Sequence, residues 1–284
     1  MRLLVVYKKT AYEVYQQHPE RIQGGTLRAG SPELSSLLAS HDAHHLTLEH
    51  LASVLDKMGF AAEYADRDHI QDMIKDKELV ITVGGDGTVI DASHYIASIP
   101  LLGLNSDPRN SVGHFCTASS DTIEAIISTY AEQPRTRLPR LALTMNGRLI
   151  ASPVLNDFLM AHQNPASTTR FRLAVDGMEK SYKGNSGLLV CAASGSTAWM
   201  YQEGGEVMPM DDLRIQYLIR GQRNMHSQFA EHTLDLFSLT GEGKLYLDGD
   251  HEIHDFPFES TLRVQQGIPL TLIGDLKEKQ KMYV

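Results

Sequence analysis

The feature that most constrains this chain is a glycine-rich turn at residues 84–88, with the sequence Gly-Gly-Asp-Gly-Thr. Residues 79–83 before the turn are apolar and rich in β-branched types, which is typical of a buried strand. Residues 89–98 after the turn read as a helix. A strand that passes through such a turn into a helix brings unpaired N–H groups and the positive end of the helix dipole together. The sequence therefore predicts a phosphate site at this turn.

The same turn has a plain structural interpretation, because Gly-Gly-Asp-Gly also fits a tight turn that binds nothing. The strand before it and the helix after it favour the phosphate site. Neither the Walker lysine motif nor G-x-G-x-x-G occurs in the chain, so the site is not of the P-loop or Rossmann type. An acid at position 86 would repel phosphate unless the chemistry or a cation required it.

In the first half of the chain, predicted strands alternate with predicted helices. This alternation indicates a parallel sheet with helices on its faces. Residues 8–40 are polar and contain several glycines and prolines, so either a long functional loop or a helix fits them. The predicted strands are 3–7, a weak one at 61–64, 79–83 and 101–104, and the predicted helices are 46–58, 89–98 and 121–131.

The second half changes to a mainly β pattern. Its apolar runs are separated by Asn-Gly and Asp-Gly pairs at 146–147 and 176–177, which favour two-residue hairpin turns. The proline-bounded segment 134–139 is the predicted boundary, which gives an α/β domain over 1–135 and a mainly β domain over 136–284. The predicted strands are 141–145, 154–160, 171–175, 187–192, 213–219, 244–247, 261–264 and 270–273.

Composition and charge exclude several classes of protein. The 284 residues exceed what one hydrophobic core usually supports, which agrees with two domains. The formal net charge is -9 and no Lys/Arg stripe follows a predicted helix, so nucleic acid is not expected as a partner. Cys116 and Cys191 stand far apart, which argues against a zinc cluster or a disulfide framework. No stretch approaches the roughly 18 apolar residues of a membrane span, so we expect a cytoplasmic protein without membrane contact.

Three further motifs place polar groups in the second half. Asn-Asp at 156–157 lies in a strand-like run, where a buried amide or carboxylate needs either a ligand or a structural network. Ser-Gly-Ser-Thr-Ala-Trp at 194–199 follows a strand and fits either a polar ligand site or a helix start capped by one of its serines. Asp-Gly-Asp at 248–250 reads most simply as a hairpin turn.

Two groups of histidines, at 41–45 and 251–254, raise the question of a metal site. Neither group is H-E-x-x-H, and neither has a further ligand residue at a telling spacing. No metal site is expected from these patterns.

Taken in order along the chain, the motifs resemble those of the NAD kinase family. GGDGT alone is shared with diacylglycerol and sphingosine kinases, but those proteins are not expected to carry the later motifs in this order. The matches cover nearly the whole chain: 84–88 for GGDGT, 102–105 for G-(V/I/L)-N, 156–157 for N-E/D, 195–199 for G-S-T-A-Y, then 204–205, Pro209 and 248–249.

Four other segments resemble the branch of the family that contains mitochondrial NAD kinase and plant NADH kinase. They are residues 7–13, 105–108, 111–114 and 207–210.

The resemblance implies a fold and an activity. The fold is an α/β N-terminal domain plus a mainly β C-terminal domain, as in NAD kinases and diacylglycerol kinases, with the dinucleotide between the domains and a C-terminal tail able to return to the first. The activity is transfer of the γ-phosphoryl group of ATP, with a divalent cation such as Mg²⁺, to the 2′-hydroxyl of the adenosine ribose of NAD or NADH. A homodimer or larger homo-oligomer is implied as well.

The resemblance also implies the site residues. Asp86 is the group that orients and deprotonates the 2′-hydroxyl, and other residues hold the two nucleotides. The phosphate contacts are Gly84, Gly85, Gly87 and Thr88, and the dinucleotide contacts are Asn105, Asn156, Asp157, Ser186, Ser196, Thr197, Ala198, Trp199 and Asp248.

The chain departs from the family pattern at two positions. Ser186 stands where many members carry an aspartate that reaches the nicotinamide end, which implies that NADH is used at least comparably with NAD. Trp199 replaces the usual tyrosine, which keeps an aromatic surface and removes a hydroxyl.

Two alternative functions remain at this stage. A lipid or other small-molecule kinase of the same superfamily should show an apolar groove or a membrane-binding face, and the sequence shows neither. A non-catalytic dinucleotide sensor could dispense with Asp86, which is present. The choices between NAD and NADH, and between ATP and polyphosphate, stay open here.

Overall fold

A computed structural model describes residues 1–17, 30–150, 153–223 and 226–282 of the chain. The chain divides into two compact units, which are Met1–Thr136 with Thr271–Lys279, and Arg137–Leu270 with Gln280–Val284. Across the described residues, no helix combines the length and the apolar character that a membrane crossing requires.

The described elements follow in chain order. The strands are β1 (Leu3–Tyr7), β2 (Ala62–Asp66), β3 (Leu79–Gly84), β4 (Leu101–Asn105), β5 (Ala118–Ser119), β6 (Arg135–Leu138), β7 (Leu141–Met145), β8 (Arg148–Leu149), β9 (Asp157–His162), β10 (Thr169–Val175), β11 (Met178–Asn185), β12 (Gly187–Cys191), β13 (Ile215–Arg220), β14 (Gln228–Ala230), β15 (Thr233–Ser238), β16 (Gly243–Leu247), β17 (Glu252–Asp255), β18 (Thr261–Gln266) and β19 (Leu270–Ile273). The helices are α1 (Ala11–Gln17), α2 (Pro32–Lys57), α3 (Ile70–Met73), α4 (Asp86–Ser93), α5 (Ile123–Ser128), α6 (Trp199–Gln202) and α7 (Lys277–Gln280), with short 3-10 turns at Arg67–His69 and Ala193–Gly195.

The first unit contains a sheet that is seven-stranded in the described part of the chain, in the order β2-β1-β3-β4-β19-β6, with β5 beside β4. Strand β1 pairs parallel with β2 and β3, and β4 pairs parallel with β3 and β19. The predicted α/β fold is therefore confirmed. Because parallel strands end at the same edge, Gly84 of β3 stands opposite Asn105 of β4.

Helix α2 covers this sheet through an apolar face. Its Leu51, Val54 and Leu55 are fully or almost fully buried against Leu3 and Ile81 of the strands. Burying one such side chain contributes roughly 1.5–3 kcal/mol to the free energy of unfolding. The face therefore fixes α2 on β1 and β3.

Helix α2 begins at Pro32, which is 14 residues before the predicted start at residue 46. The hydroxyl of Ser31 accepts the N–H of Leu34 at 3.2 Å, and Pro32 occupies the first turn, where it leaves no hydrogen bond unmade. Residues 8–40, which the sequence left open, thus contain α1 and the start of α2, and residues 18–29 lie outside the described part.

Two other helices are shorter than the sequence indicates. Helix α4 ends at Ser93 instead of residue 98, because the N–H of Tyr95 bonds to the carbonyl of Ala92 and tightens the chain into a turn. Helix α5 covers Ile123–Ser128, inside the predicted 121–131.

The second unit is mainly β, as predicted. Its described strands form two six-stranded sheets, in the orders β11-β10-β15-β18-β7-β8 and β14-β13-β12-β9-β16-β17. The main core of the unit takes alternate residues from both sheets, such as Phe171 and Leu173 of the first and Phe158, Met160 and Val190 of the second.

Three hairpins of this unit contain a pair of neighbouring residues with positive φ, the backbone geometry that Asn-Gly and Asp-Gly favour. The turns at 146–147 and 176–177 confirm the sequence prediction of two-residue loops. The pair at 248–249 instead begins a loop of four residues, 248–251, between Leu247 of β16 and Glu252 of β17. The φ values are 49° and 78°, 47° and 89°, and 49° and 81° for the three pairs.

The sequence missed five described strands of this unit: β8, β11, β14, β15 and β17. Among the described strands β11 pairs with β10 alone, and most of its residues are exposed, so it lacks the apolar alternation that marks a strand. The predicted strand 154–160 is also offset, since β9 begins at Asp157 and Asn156 precedes it.

Candidate active site

The glycine-rich turn lies at the carboxyl end of β3. Strand β3 ends at Gly84 and α4 begins at Asp86, and the N-cap residue Gly85 offers no side-chain hydrogen bond. The first N–H groups of a helix have no partner within it, so this uncapped start suits an anion.

The carboxylate of Asp86 is held by backbone groups. Its Oδ2 accepts the N–H of His114 at 2.8 Å, and its Oδ1 accepts the N–H of Phe115 at 2.7 Å. Each carboxylate oxygen keeps a further lone pair, so a substrate hydroxyl can still donate to Asp86. The dipole of α4 favours the negative charge at this position.

The backbone segment that holds Asp86 is itself held by Lys279. The ammonium of Lys279 donates to the carbonyl of Cys116 at 2.6 Å, to that of Gly113 in a shorter contact, and to that of Val112 at 3.3 Å. Lys279 therefore helps to position Asp86. The sequence analysis missed it, because nothing in the local pattern links it to a turn almost 200 residues earlier.

The glycines of the turn differ in the space around them: Gly84 is tightly packed, whereas Gly87 is open. A methyl group at Gly84 would lie 2.2 Å from Oγ1 of Thr88, so glycine is required there. A methyl group at Gly87 would meet nothing within 4 Å. The Thr88 hydroxyl is buried without a hydrogen-bond partner among the described residues, which costs about 1–3 kcal/mol and fits a ligand oxygen.

Lys8 is a further cation beside the turn that the sequence analysis did not select. It follows β1, whose last residue Tyr7 pairs with Val83, and its Cδ lies 3.6 Å from where a methyl group of Gly84 would stand. Burial, followed by the positive charge of Lys8, lowers the pKa of His44 from 6.5 to about 4. The adjacent carboxyl ends of parallel strands are the signal that could have identified Lys8.

Asn105 has a structural role that the sequence analysis did not anticipate. Its Nδ2 donates to the carbonyl of Ser111 at 2.9 Å, and its Oδ1 accepts the N–H of Asp107 at 3.1 Å. The side chain is buried and closes the loop after β4. The expected contact of Asn105 with the dinucleotide stays a prediction.

In the second unit, Asp248 shapes the segment that carries the Asn-Asp pair. Its Oδ2 accepts the N–H of Leu155 at 2.9 Å, and its Oδ1 accepts those of Asn156 at 2.7 Å and Asp157 at 3.1 Å. The backbone N–H of Asp248 donates in return to the carbonyl of Asp157 at 2.8 Å. Asp248 therefore acts as a support for the pair, and its expected place in the lining of the ligand site stays a prediction.

Asn156 carries the clearest sign of a missing ligand in this unit. Its Oδ1 is buried and has no hydrogen-bond partner in the described part of the chain. A methyl group at Gly195 would lie 1.8 Å from the backbone carbonyl oxygen of Asn156, so the two segments can approach only because residue 195 is glycine. The turn at 194–199 is thus packed directly on Asn156.

Asp157 is a buried carboxylate beside a second one. Burial raises its pKa from 3.8 to about 7, and the negative charge of Asp248 adds to this effect. The side chain of Arg140, which is completely buried, lies near Asp248, and burial lowers the pKa of its guanidinium to about 10. Asp157 therefore belongs to a group of charged side chains with Asp248 and Arg140.

The serines of the 194–199 turn are structural and neither caps α6, whose N-cap residue is Ala198. Ser194 donates its hydroxyl towards two backbone carbonyls of the same unit, both at 2.5 Å. Ser196 donates to the carbonyl of Ala193 at 2.7 Å, accepts the N–H of Met208 at 2.9 Å, and is completely buried. The hydroxyl of Ser196 is thus used within the unit, and the expected substrate contact of Ser196 stays a prediction.

The rest of the turn remains accessible in part. Thr197 is 9% exposed, whereas Ala198 and Trp199 are half-buried. The indole N–H of Trp199 donates to Glu203 at 3.1 Å, and the guanidinium of Arg220 lies 4.7 Å from its ring centroid. Part of the aromatic surface is thus already covered within the unit.

Ser186 does not lie with the other predicted contacts of this unit. It precedes β12, whose other end, Cys191, pairs with Asp157. Five residues of strand separate the two positions by roughly 17 Å, which exceeds the Debye length of about 8 Å at physiological salt. A charge at position 186 would therefore act weakly on a ligand at Asp157 of the same chain.

Two solved structures share the fold of this chain. An NAD kinase from Archaeoglobus fulgidus, in complex with ATP, superposes with a TM-score of 0.72 at 17% identity and with 100% of each chain covered. Yeast NADH kinase, in complex with NADH, superposes with a TM-score of 0.70 at 13% identity, covering 97% of this chain and 84% of the other. The fold is therefore that of the NAD kinases.

Sequence comparison defines the family. The family model for the ATP-NAD kinase N-terminal domain matches residues 11–133. A probable NADH kinase of Oryza sativa subsp. japonica is 33% identical over 278 residues, which cover 86% of this chain and 85% of that protein. NADH kinase of Arabidopsis thaliana is 30% identical over 280 residues, with 87% and 88% covered. The chain belongs to the NAD kinase family, as its motifs predicted.

Proposed function

We propose that this chain is an NAD(H) kinase, which transfers the γ-phosphoryl group of ATP to the 2′-hydroxyl of the adenosine ribose of NAD or NADH. The observation that carries the proposal is Asp86, a carboxylate fixed at an open glycine-rich turn in a member of this family. The relatives support it, since the plant proteins are named NADH kinases, and the solved structures hold ATP and NADH.

In the proposed reaction, Asp86 accepts a hydrogen bond from the 2′-hydroxyl and takes its proton as the bond to phosphorus forms. The 2′-oxygen attacks the γ-phosphorus, the bond from that phosphorus to the bridging oxygen breaks, and ADP leaves with the electron pair. The proton then passes from Asp86 to water. The two backbone bonds hold the carboxylate in place during the step, which spares reorganisation.

The phosphates of ATP would bind at Gly84, Gly85, Gly87 and Thr88. The open side at Gly87 admits a phosphate close to the backbone, and the unpaired hydroxyl of Thr88 supplies one donor. A divalent cation, Mg²⁺ by preference, would neutralise the charge of the phosphates when bound. The remaining lone pairs of Asp86 fit a water of such a cation, since Mg²⁺ keeps several waters and takes few carboxylates.

The dinucleotide would bind at Asn156, Asp157, Thr197, Ala198 and Trp199. The unpaired Oδ1 of Asn156 can accept a ribose hydroxyl or an amide N–H of the ligand. The half-buried indole of Trp199 offers the exposed part of its surface to a base. Asp248 and Gly195 keep these groups in place, Asp248 by its hydrogen bond to the backbone of Asn156 and Gly195 by its close approach to Asn156.

We predict that Lys8→Met lowers kcat/KM for ATP by roughly 10- to 100-fold, the effect of losing one hydrogen bond to a charged group. The reason is that the Lys8 side chain lies beside Gly84, where the phosphates of ATP would bind. Steady-state kinetics with ATP varied at saturating NADH measure the effect.

Lys9→Met is the matched control. The ammonium of Lys9 lies 3.7 Å from Asp68 in an exposed ion pair, which contributes at most about 1 kcal/mol to stability. Turnover of Lys9→Met should stay near that of the wild type. Equal losses in the two variants would remove Lys8 from the phosphate site.

We further propose a cytoplasmic homo-oligomer, at least a dimer. Cys116 and Cys191 are buried and form no disulfide, which suits a reducing compartment. Light scattering coupled to size exclusion would give the subunit number, and a monomer at micromolar concentration would contradict the proposal.

The experiment that tests the proposed function is an assay of the purified protein with ATP and Mg²⁺, in which NAD and NADH are compared directly. Formation of NADP or NADPH is expected. We expect NADH to be used at least comparably with NAD, as the names of the plant relatives support.

A further inference from the structure

Three side chains of the first unit converge away from the glycine-rich turn. Glu13, His41 and His45 each offer one ligand atom, and these atoms all lie within 4.8 Å of one another. In one of the pairs, Nε2 of His45 lies 3.2 Å from Oε1 of Glu13. All three side chains are half-buried, so a cation can reach them while water is partly excluded.

Two elements build this cluster. His41 and His45 stand four residues apart on α2, so their imidazoles share one face of the helix, with ring centroids 4.3 Å apart. Glu13 comes from α1, which packs on α2. The sequence could not show this third residue as a ligand, because it lies 28 positions before His41.

Thr10 orients two members of the cluster. Its hydroxyl lies 3.0 Å from Oε2 of Glu13 and 2.8 Å from Nδ1 of His41, and its backbone N–H donates to the same carboxylate oxygen at 2.6 Å. In metal sites, hydrogen bonds of this kind orient the ligand side chains and set which nitrogen of an imidazole carries the proton. The bond to Oε2 leaves Oε1 of Glu13 directed at His45.

We propose that Glu13, His41 and His45 form a binding site for a first-row transition metal ion, of which Zn²⁺ is the simplest representative. Two imidazoles and one carboxylate are a donor set for such ions, whereas Mg²⁺ and Ca²⁺ prefer oxygen alone. In a tetrahedral zinc site with bonds near 2.05 Å, neighbouring ligand atoms stand about 3.3 Å apart, close to the observed His45–Glu13 distance. Water would fill the fourth position.

The site would join α1 to α2 and so has a structural role. The neighbouring His44 points to a different partner: its Nδ1 lies 2.9 Å from Oγ of Ser106. The N–H of Ser106 donates to the carbonyl of Gly84 at 2.9 Å. Helix α2 thus carries the metal ligands and the contact to the glycine-rich turn within one helical turn of each other.

The test uses the full chain without an affinity tag, stripped of metal with EDTA and titrated with Co²⁺, followed by competition with Zn²⁺. One equivalent of Co²⁺ should bind and give the visible absorption of a four- or five-coordinate ion. Binding of Co²⁺ should be roughly 100-fold weaker in each of the variants Glu13→Gln, His41→Ala and His45→Ala. This is at least the effect of removing a hydrogen-bond partner of a metal ligand. Zn²⁺ should raise the Tm of the wild type and not of these variants.

His50→Ala is the matched control, because His50 also lies on α2 but bonds to Ser120 at 3.0 Å and is outside the cluster. This variant should bind Co²⁺ like the wild type. Glu13→Gln keeps a side chain of the same size, so it stays informative if a histidine variant fails to fold. Binding of less than one equivalent, or equal affinity in Glu13→Gln and His50→Ala, would overturn the proposal.

Discussion

The Asp86→Asn enzyme is expected to fold and to bind both nucleotides, but to turn over roughly 10²- to 10⁴-fold more slowly than the wild type. An amide cannot accept the proton of the 2′-hydroxyl, so the variant loses the acid-base step. The amide can accept only one of the two N–H groups that now hold the carboxylate, those of His114 and Phe115, so a modest loss of stability is expected as well. Single-turnover kinetics and nucleotide titrations separate these effects.

Asp91→Asn controls for a change of charge on the same helix. Asp91 lies in α4 and pairs with Arg67 at 3.1 Å at the surface. Its variant should retain wild-type turnover within a factor of about two, because a surface ion pair contributes at most about 1 kcal/mol. An Asp86→Asn enzyme as fast as Asp91→Asn would take Asp86 out of the mechanism.

Asp157→Asn is expected to change how the stability of the second unit depends on pH. Burial raises the folded-state pKa of Asp157 from 3.8 to about 7, so the folded protein favours the protonated carboxyl. The contribution of this carboxyl to the free energy of unfolding is fully present below pH 4, falls as the pH rises, and is lost above pH 7. Three pKa units correspond to at most ~4 kcal/mol, and we expect about half, since water reaches a carboxylate that is not fully enclosed.

The measurement is the free energy of unfolding in denaturant between pH 4 and 8, compared between wild type and Asp157→Asn. The free energy of unfolding of Asp157→Asn, minus that of the wild type, should increase from pH 4 to pH 7 and then stay constant. Asp250→Asn, at an exposed position of the neighbouring turn, should follow the wild type at every pH. A constant difference between wild type and Asp157→Asn would mean that Asp157 is ionised throughout this range.

The local patterns of the chain predict a large part of this fold. The strand before residues 84–88 and the helix after them follow from composition and periodicity, and so do the hairpin turns at 146–147 and 176–177. These signals are local, because each depends on residues within one element or one turn. Strand β11 escaped prediction since it is a polar edge strand, for which alternation gives no signal.

The supports of the candidate site could not be predicted, because each depends on a contact between distant residues. Lys279 holds the segment that fixes Asp86, and Asp248 holds the backbone of Asn156 from 92 positions away. A motif shows that Asp248 is present but not that its oxygens are occupied by backbone N–H groups. The same holds for Asn105 and Ser196, which have the expected residue types but use their polar atoms inside their own units.

The most direct test of the proposed NAD(H) kinase activity is to identify the product that forms from ATP and NADH. Purified enzyme, ATP and Mg²⁺ are incubated with NADH or NAD, ADP release is measured, and the position of the new phosphate is determined by ³¹P and ¹H NMR. The proposed activity predicts one phosphorylated dinucleotide for each ADP, with the phosphate on the 2′-oxygen of the adenosine ribose, and formation of both products roughly 10²- to 10⁴-fold more slowly by Asp86→Asn. ADP release without a phosphorylated dinucleotide, a phosphate at another position, or transfer to diacylglycerol in place of NAD(H) would contradict it.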